Sequence, residues 1–417
     1  VNPVLVANTS IDDDKTRRVR GLLDSVDTVE NNFIVDIRPF RIRDRSYGQI
    51  TVDASNETSY EIDGLVFSGS TGLEALSQLD RLSPVIVLGE FNYSERRFLA
   101  HEVYAGSSVP WGDKDALKGS IIARNDNTLT VLGATVERKD GRFQFNDEVT
   151  VIINDETKVT KQGSTEAVTI ADLSIGQRVF ILGNLATDTQ LDASAAGIVR
   201  MRYSDVSGSV VSASPLQLNL QHINRRNIAR YNFAGSGIDA ANDADPTEYE
   251  VDSNTLSLSN LQIASAVVVR GFPTPFGTAP EDFSAKTIVD ASNVNTALFM
   301  GYGKQGSETA VVRLDANGLL LDLDSTLGRH HLKQTGIITD INDLTSVPVI
   351  LPADGRALYA LNRGRSVVVY KEWAGFQQDL AKALADGQKV VLVHSKGLFD
   401  PQALTLQSRH LLVRLTQ

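Results

Sequence analysis

Apolar and polar positions alternate over short stretches of the chain, and each cycle of alternation is closed by a run of four or five apolar, mostly β-branched residues, the pattern of short buried strands. The fullest example is Leu173-Ser-Ile-Gly-Gln-Arg-Val-Phe-Ile-Leu-Gly183, a turn feeding a strand. Variants return at Leu82-Ser-Pro-Val-Ile-Val-Leu-Gly89, Ile263-Ala-Ser-Ala-Val-Val-Val-Arg-Gly271 and Leu384-Ala-Asp-Gly-Gln-Lys-Val-Val-Leu-Val393. Gly176 and Gly387 precede the run where the turn favours a residue without Cβ, and Gly89, Gly183 and Gly271 follow it at a strand end or bend. Upstream of three copies, apolar residues three and four apart (Leu73/Leu76/Leu79, Val168 to Leu173, and Phe376/Leu380/Leu384) predict one or two turns of helix.

Around each copy the strands keep an order. The first repeat reads Val19-Arg-Gly21-Leu-Leu, Phe33-Ile-Val, Ile50-Thr-Val-Asp, Thr58 to Ile62, the leucine turn, the signature strand and Phe98 to Val103; the second repeats this from Gly119 to Met201. The third runs from Gly208 to Val289 and carries the polar insertion Gly235 to Pro246, which reads as a mobile loop. The fourth opens at Thr335-Gly336-Ile-Ile. Five or six short strands with a helical turn before the penultimate one is the order of a small OB-like barrel. The expectation is therefore an all-β chain of four tandem OB-like β-barrels, each with a short helix. They span 17–110, 111–203, 204–292 and 334–417, with an N-terminal strand and linker at 1–16. An extra hairpin lies at 293–333, where Val311 to Asp322 carries an Asn317-Gly318 turn.

Composition agrees. A chain of 417 residues exceeds the roughly 250 to 300 at which single cores stop growing. Thirty-one glycines against 12 prolines suit many tight turns. The formal charge of −11 repels a phosphate backbone, so nucleic acid is not an expected partner. The nearest basic stretch, Arg38 to Arg45, places Arg41, Arg43 and Arg45 on one strand face, read as a solvated face. Cysteine is absent, which removes disulfides and thiolate chemistry. No apolar run approaches the roughly 18 to 20 residues that span a bilayer, and the start at Val1 suggests a processed chain.

The order Gly-x-Val/Ile opening, Thr-x-Val-x-Asp strand, leucine turn, Gly-x-x-Val-x-Val-x-Gly strand and Ala-x-x-Val ending resembles the bacterial domain of unknown function 5666, found in tandem in exported and lipid-anchored envelope proteins. Gly119, Thr157, Leu173, Gly176, Gly183 and Ala196 of the second repeat carry the resemblance best. The third copy lacks the glycine before its strand, and the fourth has His394 where the later glycine would stand. The resemblance implies an envelope or extracellular location, with any lipid anchor lost from this chain, and no activity.

Candidate chemistry is sparse. Six histidines are scattered; His330 and His331 are adjacent, but neighbours on a strand point to opposite faces. His101 and His394 read as half-buried structural residues. Asp12-Asp13-Asp14 and the run Asp239 to Asp245 offer oxygen ligands without the spacing of a calcium loop, and Asp315 to Asp322 reads as a hairpin. Gly301-Tyr-Gly-Lys-Gln-Gly306 has dinucleotide-type spacing but no βαβ setting, so it reads as a turn. Trp111 and Trp373 are expected to pack between domains. No catalytic, cofactor or metal residues are assigned. The sequence points to a non-enzymatic, extracytoplasmic structural or interaction protein, a subunit of a surface assembly or filament, whose partners are other envelope proteins or itself. The alternative is a binding module for a glycan or calcium using barrel-end loops.

Overall fold

The computed structural model describes residues 4–8, 17–38, 46–110, 114–259, 261–291, 295–323, 330–344, 346–353, 355, 357–364 and 366–416. Arg41, Arg43, Arg45, Asp12 to Asp14 and Trp111 lie outside them.

The chain folds into four small β-barrel units in sequence, one sheet to each. In the first, strands Arg17–Asp27, Asn32–Asp36, Gln49–Asp53, Pro84–Asn92 and Arg97–Ala105 close a ring in the order 1-2-3-5-4. The third unit closes the same ring with Ser204–Ala213, Leu216–Ile223, Tyr249–Asp252, Ala266–Pro273 and Phe283–Asp290. In the second, Asp115–Asn125, Thr128–Glu137, Phe143–Ile152 and Arg178–Thr187 are the first four strands. Its fifth is split into Gln190–Asp192 and Ile198–Arg202. Alternation sends one face of every strand inward, and each unit has a core of its own built on Val, Leu, Ile and Phe.

The leucine-spaced segments become helix Gly69–Ser77 in the first unit, a single 3₁₀ turn, Ile170–Asp172, in the second, and helix Trp373–Ala385 in the fourth. Leu73 and Leu76, and Phe376 and Leu380, are the residues these helices bury. The glycines after the signature strand sit where the ladder breaks register, between Leu88 and Gly89 and between Arg270 and Gly271. A Cβ there would stand 1.9 and 2.0 Å from a facing carbonyl oxygen, too close for any side chain. The fourth unit uses Gly397 in the same way, with a break after Lys396 and a carbonyl 1.8 Å from the Cβ position, so its strand Val390–Asp400 runs on past His394.

The fourth unit departs from the expected layout. Its sheet starts at Asn295, because Asn295–Gly301 pairs with Val390–Asp400 as the other first strands pair with their fourth. Strands Val311–Asp315 and Gly318–Leu321, expected to be an extra hairpin outside the unit, belong to its sheet, where Gly318–Leu321 pairs with Val349–Pro352. Their ladder joins Asp315 to Gly318, so Ala316 and Asn317 form the turn. Thr335-Gly336 is accordingly not a first-strand opening. It is the tip of an inserted hairpin, His330–Gln334 with Ile337–Asp340, added beside Asn295–Gly301. Gly336, at φ +97° with open space around it, serves a turn, whereas Gly21, Gly119 and Gly208 sit in strands under a close neighbouring backbone. Trp373 packs within the fourth unit, against Tyr359 and Phe376, and its Nε1 donates to the Asp315 carbonyl at 2.8 Å. Among the described residues no helix is long and apolar enough to cross a membrane.

Candidate interaction sites

In three units the second half of the fifth strand is flanked by a parallel strand from the same unit: Ser59–Ile62, Lys158–Lys161 and Leu358–Asn362. Among the described residues the third unit passes from Tyr249–Asp252 to Ala266–Pro273 with no such strand. The vacant edge, Thr287 to Asp290, is taken by Val4–Asn8, which runs antiparallel with Val4 opposite Asp290 and Asn8 opposite Thr287. A segment before the first unit thus completes the edge of the third, because unpaired backbone groups on a sheet edge need partners.

A second edge is open. Strand Val367–Tyr370 forms a hairpin with Leu358–Asn362, and its far side pairs with no strand among the described residues. Val367, Val368 and Val369 are 56%, 42% and 57% exposed, so both faces of this apolar edge strand meet solvent. Proteins ordinarily guard such an edge with charge or proline.

The units are welded by polar side chains that sequence reading did not single out. Between the first and second, Arg200 Nε and Nη2 each donate to Glu61 at 2.7 Å, Thr160 Oγ1 donates to the same carboxylate at 2.8 Å, and the guanidinium lies 3.9 Å from the Tyr104 ring centroid. Burial alone would push Glu61 up, but the Arg200 charge and the donors around it hold its carboxyl below the usual range. Between the second and third, Asn224 Nδ2 donates to Ser120 Oγ and the Gly176 carbonyl, both at 3.0 Å, and Ile122, Leu132 and Ile175 join the third unit's core. Between the third and fourth, Ile338 in the inserted hairpin exchanges backbone bonds with the Gln221 amide. The 139 positions separating Arg200 from Glu61 leave no local signal that could have paired them.

Of the sequence candidates only His331 and His394 are brought near each other, on either side of Phe299. His330 is buried beside Tyr302, whereas His331 lies against Phe299 on the opposite face. His394 is on the adjacent strand, also opposite Phe299; burial, then Lys396 and His331, push it down. His101 is half-buried in Arg97–Ala105. In the insertion, Asp239 accepts from Ala241 N and Asn242 N, Asp243 from Gly237 N and Asp245 from Thr247, and Ser236 Oγ accepts from Ala244 N. The insertion is a tied-down loop with its carboxylates turned to its own backbone. Among the described residues no group of three or more His, Asp or Glu is placed to hold a metal ion. Gly301 to Gly306 is the turn after the first strand.

These features define a tandem small-β-barrel protein in which one sheet edge is filled by a distant segment of the chain and the valine-rich edge Val367–Tyr370 is left open among the described residues. The chain matches no protein-family model and no curated protein.

Proposed function

We propose that this chain is a non-enzymatic structural or interaction protein of the bacterial envelope, working outside the cytoplasm and assembling through its sheet edges. The observation that carries this is the exposed valine edge of Val367–Tyr370. Its occupant is a strand from a second copy. Val4–Asn8 supports that choice, since it is a segment of this same chain that already adds to a barrel it does not belong to. The deeply buried carboxylates support the non-enzymatic part. Glu61 is committed to Arg200, and Asp115 accepts from Arg138, Lys139 N and Leu185 N, so both serve structure. The envelope setting rests on the resemblance of the second repeat to domain of unknown function 5666.

The test is sedimentation velocity of the full chain over a wide concentration range, with Val368→Lys alongside. Self-association that the lysine abolishes is expected, because a charge on an edge strand opposes strand addition. A chain that stays monomeric throughout, or association indifferent to Val368→Lys, would overturn the assembly reading.

A further inference from the structure

The groove between the second and third units gathers positive charge from five separate places in the sequence. Lys118 comes from the first strand of the second unit, Arg178 from its fourth and Arg202 from the end of its fifth. Arg225 and Arg226 come from the turn that follows Leu216–Ile223, and Arg270 from the fourth strand of the third unit. Together they line an open groove of about 520 Å³, in which Asp205 is the one carboxylate among the lining residues.

The arrangement is built rather than incidental. Asn224 and Arg225 both sit at positive φ, 50° and 65°, which turns the chain sharply. The Asn224 amide then anchors that turn to Ser120 and Gly176 across the junction. Arg226 is received by Gly133, where a Cβ would come within 2.6 Å of its Nη2. Lys118 is paired with Glu137 at 2.7 Å and Arg270 with Asp205 at 3.4 Å. Among the described residues, no carboxylate stands within ion-pair distance of Arg178, Arg202, Arg225 or Arg226. Arg178 is held below its ordinary range, first by burial and next by repulsion from Arg202, with Arg270 and Arg225 adding to it and Asp205 opposing. Guanidinium groups left facing one another across a groove, on a chain of formal charge −11, call for an anion between them.

We propose that this groove binds a multivalent oxyanion: a short ligand carrying two or more carboxylate, sulfate or phosphate groups. Five of the six cations are arginine, whose planar fork matches all three oxyanions with paired hydrogen bonds. The ligand is short because the positive field is local. Beyond a Debye length of about 8 Å a long polyanion meets the acidic remainder of the chain. An acidic oligosaccharide and a polyphosphorylated small molecule share this chemistry. The inference goes beyond the assembly reading and stands independently of it.

The experiment is isothermal titration of the full chain at moderate salt. The probes are a sulfated tetrasaccharide, a galacturonate tetrasaccharide and inositol hexakisphosphate, with a neutral tetrasaccharide and single-stranded DNA for comparison. One site is expected for at least one of the three oxyanions, weakening as salt rises, and their ranking separates a glycan source from a phosphate source. Arg178→Gln and Arg225→Gln should each weaken binding about tenfold or more, whereas the remote, exposed Arg96→Gln should leave it unchanged. Asp205→Asn should tighten it, a gain that misfolding cannot imitate. Absence of heat with all three oxyanions, binding indifferent to Arg178→Gln and Arg225→Gln, or tighter binding of the DNA than of the short probes would overturn the proposal.

Discussion

Replacing Arg200 with methionine should destabilise the junction of the first two units more than any surface change. The pair it breaks is deeply buried, with 6% of the Arg200 side chain and 5% of the Glu61 side chain exposed. Arg200→Met removes both 2.7 Å bonds to Glu61, a bond to the Ser108 carbonyl and the stacking on Tyr104, and leaves the carboxylate with the Thr160 and Ser108 hydroxyls. Removing one partner of such a pair costs about 3 to 5 kcal/mol, because the other charge stays buried without compensation. Glu61→Leu combined with Arg200→Met removes both charges, and the remaining loss should fall to about 1 to 2 kcal/mol for the Thr160 and Ser108 hydroxyls left without their acceptor. Because the folded-state pKa of Glu61 is lowered, its stabilisation is present above the unfolded carboxyl value and is lost as pH falls through the folded one. Arg200→Met should reverse that dependence, because burial without the arginine pushes Glu61 up and the variant then loses stability as pH rises. The assay is urea unfolding of the wild type, both single variants and the double variant, at neutral and acidic pH. A single-variant cost under about 1 kcal/mol, or a double variant as unstable as the two singles summed, would refute the reasoning.

Other outcomes follow from the same physics. Asp282 accepts from Glu250 N at 2.9 Å, and burial, helped by Glu250 and Asp245, pushes it up to about 7. Its contribution is therefore fully present below the unfolded value near 3.8 and is lost as pH rises towards 7. At most about 4 kcal/mol is at stake. Asp282→Asn should flatten that loss in thermal melts taken between mildly acidic and mildly alkaline pH. His330 has the opposite sign: burial lowers it, and neither ring nitrogen has a hydrogen-bond partner, so the fourth unit should lose stability as pH falls below the ordinary imidazole value of 6.5. Asp340 partly opposes that shift and His331 reinforces it. His330→Phe should remove the acid loss in the same melts. Deleting residues 1–10 uncovers Thr287 to Asp290 and should lower the melting temperature with an unchanged oligomeric state by size-exclusion chromatography. A changed oligomeric state would instead show that Val4–Asn8 pairs between molecules.

The all-β class, the tandem small barrels and the helices of the first and fourth units were legible along the chain because period-two alternation and leucine spacing are local properties, whereas the helix expected in every unit is only a 3₁₀ turn in the second and is not found before the fourth strand of the third among the described residues. Leu73 and Leu76 signal their helix within one turn, and Val179 to Leu182 signal their strand within four residues. The first-strand glycines were also visible, but the same residue serves a close backbone approach at Gly21 and an open turn at Gly336, so spacing alone misplaced the start of the fourth unit. Whether Val4–Asn8 pairs within the chain, and with which unit, depended on the edge Thr287 to Asp290, which no strand of the third unit's own covers among the described residues and which no local pattern reveals. Charge behaved in the same way. Composition gives one number, −11, whereas the meeting of Arg178, Arg202, Arg225, Arg226 and Arg270 in one groove depends on how the second and third barrels dock. Secondary structure is written in neighbours a few residues apart. Ion pairs, edges and grooves join residues brought close by tertiary packing, and that packing alone decided where this protein holds itself together and where it can bind.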